Sequence, residues 1–197
     1  SSNCITNAEV KDDLNIMAKN ANRLSDLINQ LLDFRKTERD GLRLNYELCN
    51  IERLVTAVYD RFRSVMRERG INSSISMQNS NLHAYVDHEA FTKIVSNLVN
   101  NAIKYCASRV SVLLSADEER FTLIVKNDGN IIPPEMRDKI FQPFFRLDTT
   151  MHTTTSGTGI GLAMAKSLAE LHGGTLVMDD DLTMNVFRLS LPIKQQP

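Results

Sequence analysis

The chain has 197 residues, of which 42% are hydrophobic and 24% charged, values that exclude a collagenous or disordered chain and predict one or two globular domains. Its 23 basic and 24 acidic side chains leave a net charge of −1, so bulk charge would not attract nucleic acid or an anionic membrane. Its three cysteines have neither metal-site nor disulfide spacing, which fits a reducing compartment.

The first predicted element is a long amphipathic helix over residues 7–39. Apolar residues recur there at steps of three and four: Leu14, Met17, Ala21, Leu24, Ile28 and Leu31. This is the spacing of a coiled-coil seam, although a helix packed on its own domain is the alternative because the run is short. A charged stretch then ends at Gly41, where we place the boundary between a domain 1–41 and a domain 42–197.

Beyond Gly41 the pattern alternates between short strands and helices. Strands are predicted over residues 46–50, 71–77, 82–86, 110–116, 121–125, 175–178 and 186–191. Helices are predicted over residues 51–69, 88–106 and 160–171, with Asp87 as an N-cap and a short helix opened by Pro133 and Pro134. Helices alternating with antiparallel hairpins predict an α+β fold, a two-layer α/β sandwich.

The helix predicted over residues 88–106 carries the first of four polar motifs, residues 97–105. Asn97, Asn101 and Lys104 follow the spacing i, i+4 and i+7 and therefore share one stripe. Two neutral oxygen ligands and a cation suit a hydrated Mg²⁺ and the phosphates that it bridges. A polar face turned to solvent is the alternative, and the spacing alone does not separate the two.

The second and third motifs are ambiguous when each is taken alone. Residues 125–134 form a strand that enters a glycine turn, where the Asn127 carbonyl can accept a hydrogen bond from an exocyclic amine. Such a turn is also common in proteins without that role. Residues 140–146, Ile-Phe-Gln-Pro-Phe-Phe-Arg, form an aromatic cluster that favours the core over a functional role.

The fourth motif is the glycine-rich loop at residues 156–162, directly before a predicted helix. Backbone N–H groups at a helix start form an anion site. The loop lacks the Lys-Ser/Thr ending of a P-loop and the preceding strand of a Rossmann turn, so both of those nucleotide folds are disfavoured.

In this order and spacing, the four motifs resemble the N, G1, F and G2 boxes of the catalytic ATP-binding domain of sensor histidine kinases. That domain belongs to the Bergerat-fold ATPases, with gyrase-type topoisomerases and MutL-type repair ATPases. The resemblance covers about residues 47–192 and implies a mixed, mostly antiparallel sheet that binds ATP and Mg²⁺. The helix before Gly41 resembles the second helix of a dimerisation and histidine-phosphotransfer domain.

The resemblance also implies roles for individual residues. Asn101 would be the Mg²⁺ ligand, with Asn97 and Lys104 beside the phosphates as the candidate catalytic side chains. The adenine would lie against Tyr105, Asn127, Gly129 and Ile132, and Arg146 would reach the γ-phosphate. The triphosphate would be lined by Ser156, Gly157, Thr158, Gly159, Ile160, Gly161 and Leu162, next to a mobile lid over residues 147–156.

Three residues depart from the family pattern. Asn127 stands where the family has an adenine-reading Asp, Ile131 where it has a glycine, and Asn185 where it usually has a Thr before the last strand. An Asn can still accept from the adenine amine, although without charge. We expect Ile131 to narrow the floor of the base pocket and nucleotide affinity to be modest.

None of the four histidines, His83, His88, His152 and His172, lies in a coiled-coil helix beside an acidic residue. We predict surface or capping roles for them and a phosphoacceptor histidine upstream of Ser1. The resemblance then implies a response-regulator receiver domain as partner and a homodimer through a helical hairpin. It also implies the cytoplasmic portion of a membrane-bound sensor, with its membrane segments elsewhere in the parent protein. A nucleotide-binding scaffold without catalysis and a topoisomerase-type ATPase clamp are the alternatives.

Overall fold

The structure is a computed structural model that describes residues 43–78, 81–147 and 158–194, together with helical positions between residues 14 and 32. Leu14, Met17, Leu24 and Ile28 are helical and between 49% and 66% exposed. The predicted length of this helix and the domain boundary at Gly41 fall largely outside the described residues and stay predictions. Among the helices that the structure describes, none combines the length and apolar character needed to cross a bilayer.

The described elements follow the predicted order. The strands are β1 (Tyr46–Asn50), β2 (Asn72–Met77), β3 (His83–Asp87), β4 (Arg109–Ala116), β5 (Arg120–Asn127), β6 (Thr175–Met178) and β7 (Asn185–Pro192). The helices are α1 (Ile51–Glu68), α2 (His88–Tyr105) and α3 (Gly161–Leu171). Two 3₁₀ turns, Pro134–Met136 and Lys139–Phe141, take the place of the short helix predicted after Pro133.

The strands form two sheets. Five of them pair in the order β2-β4-β5-β7-β6, with β2 parallel to β4 and the other pairs antiparallel. The remaining two, β1 and β3, form a separate antiparallel pair. The prediction of antiparallel hairpins is therefore wrong for β2 and β3, which lie in different sheets. Alternation of apolar residues shows which face of a strand is buried, but it does not show which strand is its partner.

The helices α2 and α3 cover one face of the larger sheet. Phe121, Leu123 and Val125 are buried on alternate positions of β5, and the ring of Phe121 meets that of Phe91 on α2 edge-on, with centroids 5.7 Å apart. Because strand side chains alternate between faces, Asn127 points to the same helix-covered face. It is only 1% exposed.

His172 connects the end of α3 to β3. Its Nε2 accepts a hydrogen bond from the Asp87 backbone N–H at 3.2 Å, so its proton sits on Nδ1, which donates to the Leu168 carbonyl at 2.7 Å. Burial lowers the pKa of the ring and keeps it neutral. His172 is thus the predicted helix cap, but it is buried rather than on the surface. His83 lies exposed in β3 and His88 begins α2, whereas His152 lies outside the described residues.

Candidate functional site

The polar stripe on α2 lies against neighbouring structure. Asn97, Asn101 and Lys104 are all partly buried, whereas Asn100, one position from the stripe, is exposed. The opposite face of α2 is fully apolar and buried, and the Asp87 side chain caps the helix by accepting from the Ala90 N–H at 2.9 Å. The stripe therefore borders a groove and is not a freely solvated face.

The glycine-rich loop reaches this stripe at the start of α3. A Cβ atom on Gly161 would lie 2.8 Å from Oδ1 of Asn97, so no larger residue fits without displacing the amide. A cavity of about 420 Å³ opens beside this contact, between Arg61 of α1, Lys93 of α2 and Met164 of α3. The first and fourth motifs, far apart in sequence, thus meet at one place.

The aromatic motif joins the same loop through Phe144. Its backbone N–H donates to the Gly159 carbonyl at 3.0 Å, and both residues have positive φ, 64° for Phe144 and 73° for Gly159. A Cβ atom on Gly159 would lie 2.8 Å from the Cα atom of Phe144. This contact lies next to the lid predicted over residues 147–156. Residues 148–157, which include Ser156 and Gly157, lie outside the described residues.

The core prediction for the aromatic motif holds for only part of it. Ile140 and Phe141 are buried, and the Phe141 ring meets Phe187 edge-on. Phe144 is instead 61% exposed, and its backbone has a positive φ. Arg146 is also exposed.

The glycine turn after β5 packs against the end of α2. A Cβ atom on Gly129 would lie 1.8 Å from the Tyr105 carbonyl oxygen, so this turn accepts only glycine. Tyr105 is 46% exposed, and its ring lies 4.7 Å from Nζ of Lys104. Ile132 is buried, but Ile131 is 38% exposed. The expectation that Ile131 narrows the pocket floor stays a prediction.

Two of the departures from the family pattern form a pair. Asn127 and Asn185 lie directly opposite each other on β5 and β7, are 1% and 2% exposed, and share a hydrogen bond of 3.3 Å from Asn185 Nδ2 to Asn127 Oδ1. Sequence reasoning treated them separately, because their contact depends on the pairing of two strands far apart in the chain. The two substitutions are structurally coupled.

The Asp128 side chain connects the glycine turn after β5 to residues 107–109, which follow α2. Its Oδ1 accepts from the backbone N–H groups of Ala107, Ser108 and Arg109 at 3.0, 2.9 and 2.7 Å, and its Oδ2 accepts from the Ser108 hydroxyl at 2.7 Å. These hydrogen bonds outweigh desolvation and hold the pKa of the carboxyl well below its ordinary value. Sequence reasoning missed this role.

We expect Asp128→Asn to lower the free energy of unfolding by about 1 kcal/mol at neutral pH, as loss of a capping side chain does. Because the folded-state pKa is depressed, the wild-type contribution is complete above the ordinary pKa of 3.8 and is lost as pH falls below it. Urea denaturation at pH 7 and pH 3 measures this difference. Asp138→Asn, on an exposed carboxyl that makes no cap hydrogen bond, is the control. Equal acid sensitivity of both variants and the wild type would contradict this role.

The oxygen ligands of this site suit Mg²⁺ better than a metal ion that takes most of its ligands from protein side chains. Within the described ranges, no group of three or more His, Cys, Asp and Glu side chains is placed to hold a metal ion. The stripe instead offers the neutral amide oxygens of Asn97 and Asn101. Mg²⁺ typically keeps several waters and takes few protein ligands together with substrate phosphates, so this donor set fits it.

Comparison with known proteins identifies the family. The family model for the histidine kinase-, DNA gyrase B- and HSP90-like ATPases matches residues 86–195. The chain belongs to this ATPase family. It is 31% identical over 192 residues to hybrid signal transduction histidine kinase D of Dictyostelium discoideum, and 29% identical over 192 residues to sensor histidine kinase RppB of Synechocystis. These matches cover 93% and 96% of the chain but only 12% and 42% of the two relatives.

Solved structures agree with the family and the fold. The catalytic domain of histidine kinase ThkA has a TM-score of 0.69 and 26% identity, over 77% of this chain and 97% of that one. Full-length ShkA in complex with AMPPNP has a TM-score of 0.85 and 23% identity, over 98% of this chain and 41% of that one. The α+β fold and the resemblance to sensor histidine kinases are therefore confirmed for this ATPase domain.

Proposed function

We propose that this ATPase domain is the catalytic part of a two-component sensor histidine kinase that transfers the γ-phosphoryl group of Mg–ATP to a histidine elsewhere in the parent protein. The observation that carries the proposal is the contact between Gly161 and Asn97, which brings the start of α3 and an amide oxygen of α2 together beside one cavity. Both named relatives are histidine kinases and are longer than this chain, which leaves room for an acceptor in the parent.

Phosphoryl transfer depends on positioning and electrostatic stabilisation. The residues of the groove would have different roles in it. Backbone N–H groups at the start of α3, together with the glycine-rich loop before it, would hold the phosphates. Asn101, with Asn97 and Lys104 nearby, would hold Mg²⁺, which neutralises phosphate charge when bound. The base lies against Tyr105, with Asn127, Gly129 and Ile132 around it, and Arg146 reaches towards the γ-phosphate.

The proposed partners follow from the same assignment. ThkA has been solved in complex with the response regulator TrrA, which supports a receiver domain as the phosphoryl acceptor downstream of this protein. The exposed apolar positions between Leu14 and Leu31 support a homodimer formed by a helical hairpin of the parent. The domain would act in the cytoplasm, with any membrane attachment made by other segments of the parent, and a net charge of −1 favours no nucleic-acid partner.

The decisive experiment uses the parent protein and ATP labelled on its γ-phosphate. We expect an acid-labile label on the parent, which then passes to a receiver domain, and no label on the 197-residue chain alone because the acceptor is absent. Calorimetry of the chain with a non-hydrolysable ATP analogue and Mg²⁺ tests the nucleotide step separately. If the analogue binds but the parent never becomes labelled, the domain is a nucleotide-binding scaffold and the kinase assignment is wrong.

A further inference from the structure

The helices α2 and α3 lie side by side and run in opposite directions. Gly161, the first residue of α3, contacts Asn97 in the middle of α2. His172, which caps the end of α3, meets Asp87, the N-cap of α2. The two contacts are about 15 Å apart along α2 and about 17 Å apart along α3, at the rise of an α-helix. Both contacts therefore depend on the axial position of α3 relative to α2.

The apolar packing of α3 resists sliding along α2 only weakly. The buried residues of this helix are mostly alanines: Ala163, Met164, Ala165, Leu168 and Ala169. Packed helices are held in register by ridges of side chains that fit into grooves of the neighbouring helix, and an alanine forms only a low ridge. The polar contacts at the two ends of α3 are therefore needed to fix its axial position.

His172 is completely buried, and both nitrogens of its ring make directional contacts. Nδ1 donates to the Leu168 carbonyl at 2.7 Å, which fixes the ring relative to its own helix, and Nε2 accepts from the Asp87 backbone N–H at 3.2 Å. The Tyr46 ring meets the imidazole edge-on, with centroids 5.7 Å apart, and the Tyr46 hydroxyl donates to the Leu171 carbonyl at 3.0 Å. The end of α3 is thus held to β1 and to the start of α2.

We propose that His172 is a positioning residue of the phosphate site: by accepting from Asp87 at one end of α3, it keeps Gly161 against Asn97 at the other end. This role depends on the proposed function, which places the phosphates at the start of α3. A short helix in a close-packed interior moves as a unit, so a shift at His172 is transmitted to Gly161. A displacement of about 1 Å can lower the rate of an enzyme about 100-fold even when it begins far from the reacting atoms.

The contact with Asp87 requires a neutral imidazole, because a proton on Nε2 would place two donors against each other. The charged and titratable groups around the ring are Asp87, Tyr46 of β1, the exposed Glu170 of α3, and Arg120 of β5, which reaches the turn after α3. Burial outweighs the Asp87 carboxylate and lowers the pKa of His172 below its ordinary value of 6.5. The contact is therefore complete above pH 6.5 and is lost as pH falls through the lower pKa of the folded state.

Two substitutions separate the acceptor from the charge. The side-chain oxygen of His172→Gln can accept from the Asp87 N–H but does not gain a proton, whereas His172→Met offers only a weak acceptor. Calorimetry measures the affinity of each folded chain for a non-hydrolysable ATP analogue in Mg²⁺ at pH 7 and pH 5. We expect His172→Met to bind the analogue about tenfold more weakly than the wild type at pH 7. His172→Gln should match the wild type at pH 7 and should not share the loss of affinity that the wild type shows at pH 5.

The amide resonance of Gly161 provides a readout that a merely stabilising role of His172 would not change. In NMR spectra of the chain without nucleotide, we expect this resonance to shift between pH 7 and pH 5 in the wild type and to stay in place in His172→Gln. His83→Gln is the matched control, because His83 is exposed in β3, and this variant should keep the wild-type shift. The measurement needs no nucleotide and is therefore independent of the proposed function.

The outcomes distinguish the role of His172 from the proposed function. Equal affinity of the wild type and His172→Met for the analogue would overturn the positioning role, and so would a Gly161 resonance that shifts equally in the wild type and His172→Gln. If the resonance behaves as expected but no form of the chain binds the analogue, the contact through α3 stands and the proposed function fails. Should His172→Met not fold, the pH dependence of the wild type and His172→Gln decides.

Discussion

Gly129→Ala is expected to lower the free energy of unfolding by about 3 kcal/mol, as severe overpacking does, and to abolish nucleotide binding. The added Cβ atom would lie 1.8 Å from the carbonyl oxygen of Tyr105 and 2.9 Å from its carbonyl carbon. Both are backbone atoms of the last residue of α2, so no side-chain rotation relieves the overlap. Either the turn or the helix end must move, and each carries residues of the proposed base site.

The hydrogen bonds of Asp128 make this movement more costly. They tie the same turn to the backbone of residues 107–109, so the turn cannot withdraw from Tyr105 without breaking them. Gly70→Ala is the control, because a Cβ atom there meets no neighbouring atom and only the positive φ of 66° opposes it. We expect that variant to lose about 1 kcal/mol. Chemical denaturation of both variants measures the difference, and a Gly129→Ala chain as stable as Gly70→Ala would contradict the steric argument.

The elements of this fold could be predicted because their signals are local. The apolar residues Phe91, Ile94 and Leu98 repeat at helical spacing and are all buried, and Asp87 caps the helix that they define. The pairing of the strands could not be predicted in the same way. The polar turn after β2 looks like a hairpin, but β2 pairs with β4 and β3 with β1, since pairing depends on what each strand meets across the whole domain.

The candidate site, like the fold, could be predicted from the sequence only in part. Its four motifs could be found from residue types and order, and the structure joins Asn97 to Gly161 and Gly129 to Tyr105. The direction in which the Asn127 amide points could not be predicted, because it depends on Asn185, which lies opposite it only once β5 and β7 are paired. In the folded protein the Asn127 oxygen already accepts from the Gly129 N–H and from Asn185 Nδ2.

In the parent protein, Asn101→Ala is expected to reduce the rate of phosphoryl transfer by about 100-fold or more, the cost of removing one well-placed polar group from a phosphoryl or acyl transfer site. Asn101 is partly buried on the same stripe as Asn97, which contacts Gly161, and the proposed function assigns its amide oxygen to Mg²⁺. The variant should also lose the dependence of nucleotide affinity on Mg²⁺. Labelling rates and calorimetry with and without Mg²⁺ measure the two effects.

Asn100→Ala isolates the role of the stripe. Asn100 is the neighbouring residue of the same type on the same helix, but it is exposed, and replacing either Asn by Ala changes helix propensity equally. Any gain in helix stability is therefore common to both variants, so a difference between them reports only on position. If Asn101→Ala and Asn100→Ala label at the same rate and keep the same Mg²⁺ dependence, the stripe is a polar helix face and the Mg²⁺ assignment is wrong.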